Sequence, residues 1–225
     1  MRLTRRSCIP LTVFASVVVA GGVSAGPEDT NRPGGNQTST ANPKAEVWSV
    51  AVSGYLYFPP DDTNYIQPTV TADHGRIHLE ARANYEEKGS VSSWLGWNWN
   101  LDGRVSLAIT PQIGIVFGKF SGIAPGYEGS VTWGKLELYS EGEYAYELSD
   151  SSKSYFYNWS TLTYELARGF RFGTVVQRTR VYQAERDLQR GLLLGFSHGR
   201  SSITAHILNL DSSAPTYVMS VVVQL

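Results

Sequence analysis

Residues 77–86 read Ile-His-Leu-Glu-Ala-Arg-Ala-Asn-Tyr-Glu and follow a short turn, Asp73-His74-Gly75-Arg76. Side chains along a β-strand point alternately to its two faces. One face of this stretch therefore carries Ile77, Leu79, Ala81, Ala83 and Tyr85, and the other carries His78, Glu80, Arg82, Asn84 and Glu86. An apolar face opposite an ionisable face predicts a strand that separates an apolar medium from water.

The same alternation recurs along the chain. Residues 135–148 show it most clearly, with Leu136, Leu138, Tyr144, Tyr146 and Leu148 on one face and Glu137, Glu141, Glu143 and Glu147 on the other. The first predicted strand and the last follow the same rule, and the last ends on Leu225 in phase with its apolar face. The chain also has 22 Gly, 13 Tyr and 6 Trp but only 17% charged residues, a composition rich in strand and turn formers.

Turns divide this pattern regularly. Tight glycine-centred turns at 73–76, 102–104, 133–135, 167–169 and 198–200 alternate with longer polar breaks at 59–64, 86–90, 119–126, 148–154, 182–189 and 209–215. They predict twelve strands, at 46–58, 64–73, 76–86, 90–101, 104–118, 126–133, 135–148, 154–166, 169–181, 188–198, 200–209 and 215–225. Most reach the roughly 9–11 residues that a tilted strand needs to cross a bilayer. Pro68 and Pro111 fall inside these strands, where we expect bulges or bends.

The N-terminus is typical of an exported protein. Basic residues at 2, 5 and 6, an apolar run at about 9–20 and small residues at 23–25 predict a signal peptide over 1–25, with an uncleaved anchor as the alternative. Residues 26–45 are predicted to be a flexible tail and 46–225 a transmembrane barrel. Cys8, the only cysteine, lies in the signal, so we expect no disulfide in the mature chain. Without the three arginines, 16 basic face 20 acidic residues, which indicates no nucleic-acid partner.

Signal peptide, twelve alternating strands, turn asymmetry and an apolar last strand together resemble the Gram-negative outer-membrane β-barrel proteins of the porin-like class. That family usually ends in Phe, where this chain has Leu225. The resemblance implies an all-β fold, a transmembrane antiparallel up-and-down barrel of about 12 strands, located in the cell outer membrane. It also implies contact with outer-membrane lipid and lipopolysaccharide, and insertion by the barrel-assembly machinery.

The inward faces carry more acids than bases. The predicted lumen-lining residues are His78, Glu80, Arg82, Asn84, Glu137, Glu141, Glu143, Arg171 and His206; Glu86, Glu128, Lys135 and Glu147 share the inward phase. An acidic wall favours cations or small polar solutes, which predicts a small passive channel whose solute the sequence does not identify. One alternative is a non-conducting structural or lipopolysaccharide-interacting barrel, its lumen closed by salt bridges; a third is an outer-membrane lipid hydrolase. No nucleophile, base and orienting group are brought together by spacing, so no catalytic residue is predicted.

The outward arginines and the aromatic residues near strand ends each allow two interpretations. Arg178, Arg180 and Arg190 share the phase of outward apolar residues, which predicts contact with lipopolysaccharide phosphates unless a bulge turns them inward. Aromatic residues near strand ends predict an interfacial girdle or a sugar platform: Trp48, Tyr57, Tyr85, Trp97, Trp99, Tyr127, Trp133, Tyr155, Tyr157, Tyr164, Tyr182 and Tyr217. The four histidines are scattered, so neither a metal site nor a cofactor is predicted.

Overall fold

A computed structural model describes residues 47–60, 62–167, 169–181 and 187–225. The predicted signal peptide and tail lie outside these ranges. The strands are β1 (Ser49–Phe58), β2 (Tyr65–His74), β3 (Ile77–Ala83), β4 (Ser90–Trp97), β5 (Trp99–Leu101), β6 (Ser106–Gly118), β7 (Gly122–Trp133), β8 (Leu136–Glu147), β9 (Tyr155–Ala167), β10 (Phe170–Val181), β11 (Asp187–His198), β12 (Ser201–Leu208) and β13 (Thr216–Gln224). Apart from a 3-10 turn at Ser151–Lys153, no helix is described, and none of these residues forms a helix able to span a membrane.

The strands form one closed antiparallel barrel. Strands consecutive in sequence pair with each other except β4 and β5, β1 pairs with the last strand β13, and β4 pairs with β6. β4 and β5 are two halves of one wall strand, because both pair with β6 in the same register on either side of Asn98. The wall therefore has twelve strands in the described part of the chain, and the predicted up-and-down barrel is confirmed.

The outer surface is apolar and the inner surface is largely polar. Leu95, Ile115, Leu138 and Leu194 on the outer phase are each about half exposed, at 56%, 51%, 47% and 58%. Neighbouring residues on the inner phase, such as Glu80 and Thr69, are almost completely buried. A protein surrounded by water does not leave such a continuous apolar surface uncovered, so the outer face is the one that meets lipid.

The tight turns lie at one end of the barrel and depend on glycine. Gly75, Gly134, Gly169 and Gly199 have φ angles of 58°, 60°, 84° and 58°, a region that residues with a Cβ rarely adopt. Gly103 in the fifth turn does not have a positive φ, so four of the five turns use glycine in the expected way. At the other end, Lys88 Nζ lies 2.5 Å from Asp62 Oδ2 and joins the β1–β2 and β3–β4 loops. The hydrogen bond from Lys88 lowers the pKa of Asp62.

Some predicted boundaries are wrong. β3 ends at Ala83 instead of continuing to residue 86, because Asn84 adopts a left-handed φ of 58° and turns the chain. Tyr85 consequently points inward and is buried, whereas the alternation placed it outside. β7 begins at Gly122, so the break predicted at 119–126 shrinks to three residues.

The two prolines within strands act differently. At Pro68 the register of β1 with β2 does not change, and the β2–β3 ladder begins one residue later, so no bulge is needed. Pro111 lies opposite the gap between β4 and β5, where a residue without N–H interrupts the ladder. The ladder therefore has no bulge at Pro68, where a bend stays a prediction, and Pro111 marks an interruption without a change of register.

Leu138→Arg places a charge on the lipid face and tests this orientation. Leu138 lies near the tight-turn end of β8, so we expect the free energy of unfolding to fall by about 1 kcal/mol, less than the roughly 2–4 kcal/mol of a basic residue at the bilayer midplane. The measurement is denaturant unfolding in lipid vesicles, followed by tryptophan fluorescence. Ser152→Arg, in the exposed β8–β9 loop, is the matched control and should change stability little. Equal effects of the two substitutions would contradict a lipid-facing Leu138.

Candidate functional site

Arg82 lies at the centre of an acidic cluster inside the barrel. β3 directs its side chain inward, where Nη2 donates to Glu80 Oε2 at 2.7 Å and Nη1 donates to Glu143 Oε2 at 3.3 Å. Nη2 also lies 3.5 Å from Glu128 Oε1. These acids come from β3, β7 and β8, so one guanidinium connects strands from different parts of the wall.

Two aromatic rings hold the same guanidinium. Its central carbon lies 4.2 Å from the ring centre of Tyr85 and 4.3 Å from that of Trp94, within cation–π range. Trp94 lies against β6, where a Cβ on Gly114 would come within 2.5 Å of the indole ring. Glycine at 114 therefore lets Trp94 reach the position in which it packs on Arg82.

Tyrosines donate hydrogen bonds to two carboxylates of the cluster. Glu141 accepts hydrogen bonds from Tyr85 at 3.2 Å and Tyr139 at 2.5 Å, and Glu143 accepts one from Tyr155 at 3.2 Å. Neutral donors of this kind stabilise a buried carboxylate but do not cancel its charge.

The buried carboxylates outnumber the cations near them. Glu80, Glu86, Glu128, Glu141 and Glu143 are all buried, and Arg82 contacts three of them, Glu80, Glu128 and Glu143. Burial raises the pKa of Glu86, which lies in the β3–β4 loop close to Arg82, so this acid holds a proton at a higher pH than usual. The interior therefore contains more buried carboxyl groups than guanidinium groups.

Two small cavities lie on the opposite side of the lumen. The first has a volume of about 30 Å³ and is lined by Glu137, Arg171, His206 and residues of β1, β9, β12 and β13. The second has about 20 Å³, lies toward the long-loop end, and is lined by Tyr57, Gln177, Gln189, Leu208 and neighbours. Each has room for one or two water molecules.

An apolar layer separates these cavities. Val218 on β13 lies between Ser220, which lines the first cavity, and Thr216, which lines the second. On β10, Val175 lies between Arg171 and Gln177 in the same way. Trp159, Val175, Leu208 and Val218 are fully or almost fully buried, and we call these four residues the apolar layer.

The structure places most of the predicted lumen residues on the inner face. His78, Glu80, Arg82, Glu141, Glu143 and His206 are buried there, and Glu137 and Arg171 are partly exposed around the first cavity. Arg171 donates to Ser197 Oγ at 3.2 Å and Thr204 Oγ1 at 2.8 Å. Asn84 is different: its side chain donates to Ile66 O and accepts from Gly89 N, so it stabilises the β3–β4 loop and does not line the barrel wall.

Some of the aromatic residues predicted to form the interfacial girdle lie on the outer surface, and others are buried inside the barrel. Trp48, Trp97, Trp99, Tyr127, Trp133, Tyr164 and Tyr217 are exposed on the outer surface, as a girdle requires. Tyr57, Tyr85, Tyr155 and Tyr157 are buried inside, so assigning them to the girdle is wrong; Tyr182 lies outside the described residues. Proximity to a strand end does not fix the face, and only the phase within the strand does.

The three arginines lie on the outer phase. Arg180 and Arg190 are exposed, and Arg178 is half-buried with its guanidinium 5.5 Å from the ring centre of Phe156. Arg190 lies 3.8 Å from Asp211 in the β12–β13 loop. The bulge that would have turned them inward is not present, because the β10–β11 register is regular from Phe170 to Thr179.

Sequence reasoning missed the apolar layer. The layer consists of apolar residues on the otherwise polar inner face of their strands, so each breaks the alternation of its strand: Trp159, Val175, Leu208 and Val218. An apolar residue in the inward phase at equivalent heights of several strands is the signal that could have indicated them.

Arg82→Met tests the charge balance of the cluster. Because it leaves the buried carboxylates without their guanidinium, we expect a loss of about 3–5 kcal/mol in the free energy of unfolding at pH 8. The loss should be smaller at pH 5, since a raised pKa lets acids such as Glu86 take up protons as the pH falls and the repulsion that Arg82 offsets then diminishes. The measurement is denaturant unfolding at both pH values, with Arg104→Met in an exposed turn as the control. A pH-independent loss would contradict the interpretation.

Comparison with known proteins supports the fold. No family model matches the sequence, and no curated protein matches it. The KdgM porin is similar in structure, with a TM-score of 0.56 and 9% identity over 77% of this chain and 98% of that chain. The KdgM porin in complex with disordered oligogalacturonate has a TM-score of 0.55 and 10% identity over 78% and 98%. The chain therefore has the fold of the Gram-negative outer-membrane β-barrel proteins of the porin-like class.

Proposed function

We propose that the chain is a narrow passive channel of the outer membrane that favours small cations and neutral polar solutes. The observation that carries the proposal is the acidic inner wall, in which five glutamates are buried and three of them, Glu80, Glu128 and Glu143, contact Arg82. A lumen of this charge lowers the energy of a cation in the barrel and raises that of an anion.

The rest of the lining supports a path for polar solutes. A barrel interior that serves only for stability can be filled by apolar packing. Here the buried inner residues include many hydroxyl and amide side chains, among them Ser53, Gln67, Thr69, Thr71, Thr161, Gln177, Thr204 and Ser220. Such groups can replace part of the hydration shell of a passing solute.

The apolar layer serves as the gate in this proposal. A hydrophobic constriction excludes water and blocks ions until its side chains separate. Trp159 contacts His206 edge-on, with ring centres 5.4 Å apart, and so links the layer to the lining of the first cavity. Movement of this indole ring would join the two cavities.

The negative charge of the lumen glutamates also disfavours acidic solutes. One structural relative is a porin in complex with oligogalacturonate, a chain of acidic sugars. The buried glutamates here would repel such a polyanion. We therefore propose cations or uncharged solutes for this lumen.

The packed lumen also favours a second candidate, a barrel that does not conduct. The cavities of 30 and 20 Å³ are small, and the layer between them is closed. Single-channel recording distinguishes the two candidates, because a structural barrel gives no current at any voltage. Release of fatty acid from phospholipid vesicles would instead indicate the third candidate, a lipid hydrolase.

Trp159→Ala tests the gate. Because it removes the largest side chain of the apolar layer, we expect single-channel conductance or open probability in planar bilayers to rise by about two-fold or more. The reversal potential in a salt gradient should show preference for cations. Trp97→Ala, on the lipid-facing surface, is the matched control and should leave the current unchanged. Absence of current in both wild type and Trp159→Ala would reject the channel.

We also propose that the outward arginines bind lipopolysaccharide phosphates. Arg178, Arg180 and Arg190 lie toward the long-loop ends of β10 and β11, on adjacent strands. Guanidinium groups bind phosphate well, and Val176, which faces Arg190 across the strand pair, brings the groups onto one apolar surface.

Polar side chains beside the arginines support this contact. Asn158 pairs with Arg178 across β9 and β10, and its amide donates to Tyr127 Oη at 3.0 Å and Ser140 Oγ at 3.1 Å. Ser140 in turn lies 3.0 Å from Ser160. A hydrogen-bonded group on a lipid-facing surface is unusual, and it offers partners to a lipid that carries hydroxyl and amide groups.

Charge reversal of the three arginines to Glu tests the lipid contact. We expect lipopolysaccharide that co-purifies with the barrel to fall about ten-fold, which corresponds to the loss of one charge-assisted hydrogen bond. Reversal of Arg76, Arg104 and Arg200, which are exposed at the tight-turn end, is the matched control. An equal loss from both triple variants would indicate a non-specific effect of net charge.

Insertion by the barrel-assembly machinery through β13 stays a prediction.

A further inference from the structure

We propose that the lumen contains a site for a divalent transition-metal ion, with zinc as the best match, formed by His78, Glu80 and Glu128. A ligand atom from each of these residues lies within 4.8 Å of the others. All three residues are buried on the inner face, two on β3 and one on β7. The proposal goes beyond the channel function and does not require the lumen to conduct.

The second ring nitrogen of His78 is directed at the acids and makes no hydrogen bond to the described residues. His78 Nε2 is buried and has no hydrogen-bond partner among the described residues, and it lies 3.6 Å from Glu80 Oε2. Glu80 Oε1 is buried without a partner as well. Unsatisfied polar atoms inside a protein are rare and costly, so two of them on neighbouring side chains favour a bound group at this position.

The other nitrogen of His78 is held as in known metal sites. Nδ1 lies 2.8 Å from Asp73 Oδ1, its cross-strand neighbour on β2. Asn98 fixes that carboxylate by donating to Oδ1 at 2.7 Å. A carboxylate that accepts from one ring nitrogen leaves the second free for the metal, and this carboxylate–histidine–metal arrangement is common around zinc.

The strands between β3 and β7 leave room for the site. A Cβ on Gly96 of β4 would come within 3.2 Å of both the His78 ring and Gln112 Cβ, so glycine is needed for these side chains to meet. Gln112 lies 3.5 Å from Glu128 Oε1 and has a buried side-chain oxygen without a partner. It is positioned as a further neutral oxygen donor beside the three ligands.

Arg82 shares the carboxylates without occupying all of them. Its guanidinium donates a hydrogen bond to Glu80 Oε2 and lies 3.5 Å from Glu128 Oε1. Glu80 Oε1 makes no hydrogen bond to the described residues and can bind a metal ion. A divalent ion would also offset the excess negative charge of the cluster, which one guanidinium does not balance.

The donor set indicates the metal. One imidazole and two carboxylates are ligands that zinc accepts at about 2.0–2.2 Å, whereas calcium and magnesium prefer oxygen donors alone. Ligand distances of that size require donor atoms roughly 3.4 Å apart. The present separations of up to 4.8 Å close to this value by rotation of the glutamate side chains.

Metal titration of the full-length, tag-free barrel tests the site. The protein is folded in detergent, treated with chelator and titrated with ZnCl₂ by calorimetry. We expect one ion per chain, and binding that weakens as the pH falls because the ligands must lose their protons. His78→Gln and Glu128→Gln should each weaken binding at least about ten-fold, and Asp73→Asn by about 10–100-fold through the orientation of His78.

The controls separate this site from surface binding and from misfolding. His206→Gln alters another buried lumen histidine and His198→Gln an exposed one, and both should bind zinc like wild type. Heat-modifiable electrophoretic mobility shows whether each variant is folded. If His78→Gln does not fold, the visible absorption of Co²⁺ bound to wild type and to Asp73→Asn decides the question. The proposal is overturned if wild type binds no stoichiometric ion, or if binding depends on His198 or His206 instead of His78. Neither result depends on conductance, so failure of the metal site and failure of the channel are distinguishable.

Discussion

Every backbone amide within a bilayer must find its hydrogen-bond partner inside the protein, and this requirement controls the whole architecture. The pairing of β1 with β13 and of β4 with β6 removes the open edges that a flat sheet would expose to lipid. Closure is maintained to the last residue, since Leu225 N donates to Val50 O at 2.8 Å. Once the wall is closed, strict alternation forces one set of side chains into lipid and the other into a confined interior.

That confinement explains the chemistry of the lumen. A polar side chain that would be hydrated on an open sheet must find its partners across the barrel, and Arg82 does so by contacting acids from three strands and two aromatic rings. The acidic cluster contains more buried carboxyl groups than guanidinium groups. In the proposals made above, a permeating cation and a bound divalent ion would compete with protons for these same carboxylates. Occupancy of the metal site would therefore reduce the attraction of the lumen for a passing cation.

The barrel is not uniform around its circumference. The wall from β3 to β9 contributes the acidic cluster, whereas β1 and β10 to β13 contribute most of the cavity lining and most of the apolar layer. The outer surface shows a similar division, because its polar side chains and outward arginines gather on β7 to β11. A twelve-stranded barrel is narrow enough for residues of the acidic cluster and the apolar layer to fill the lumen together. In the proposed channel, solute passage and stability would therefore depend on the same side chains.

The sequence by itself determined the fold, because a period of two and the spacing of turns are local properties that lipid and backbone pairing convert directly into a barrel. It also determined the phase of most strands, and thus that His78, Glu80, Arg82, Glu141 and Glu143 point inward. Only the tertiary structure decided which of these meet, since His78 and Glu128 lie fifty residues apart along the chain and their distance depends on the curvature of the wall. The tertiary structure also decided where the alternation of a strand stops. At Asn84 the left-handed backbone turns the chain, and the side chain of Tyr85 then contacts Arg82 instead of facing lipid. Local periodicity specifies a face, but contact across a lumen is fixed only when the barrel closes.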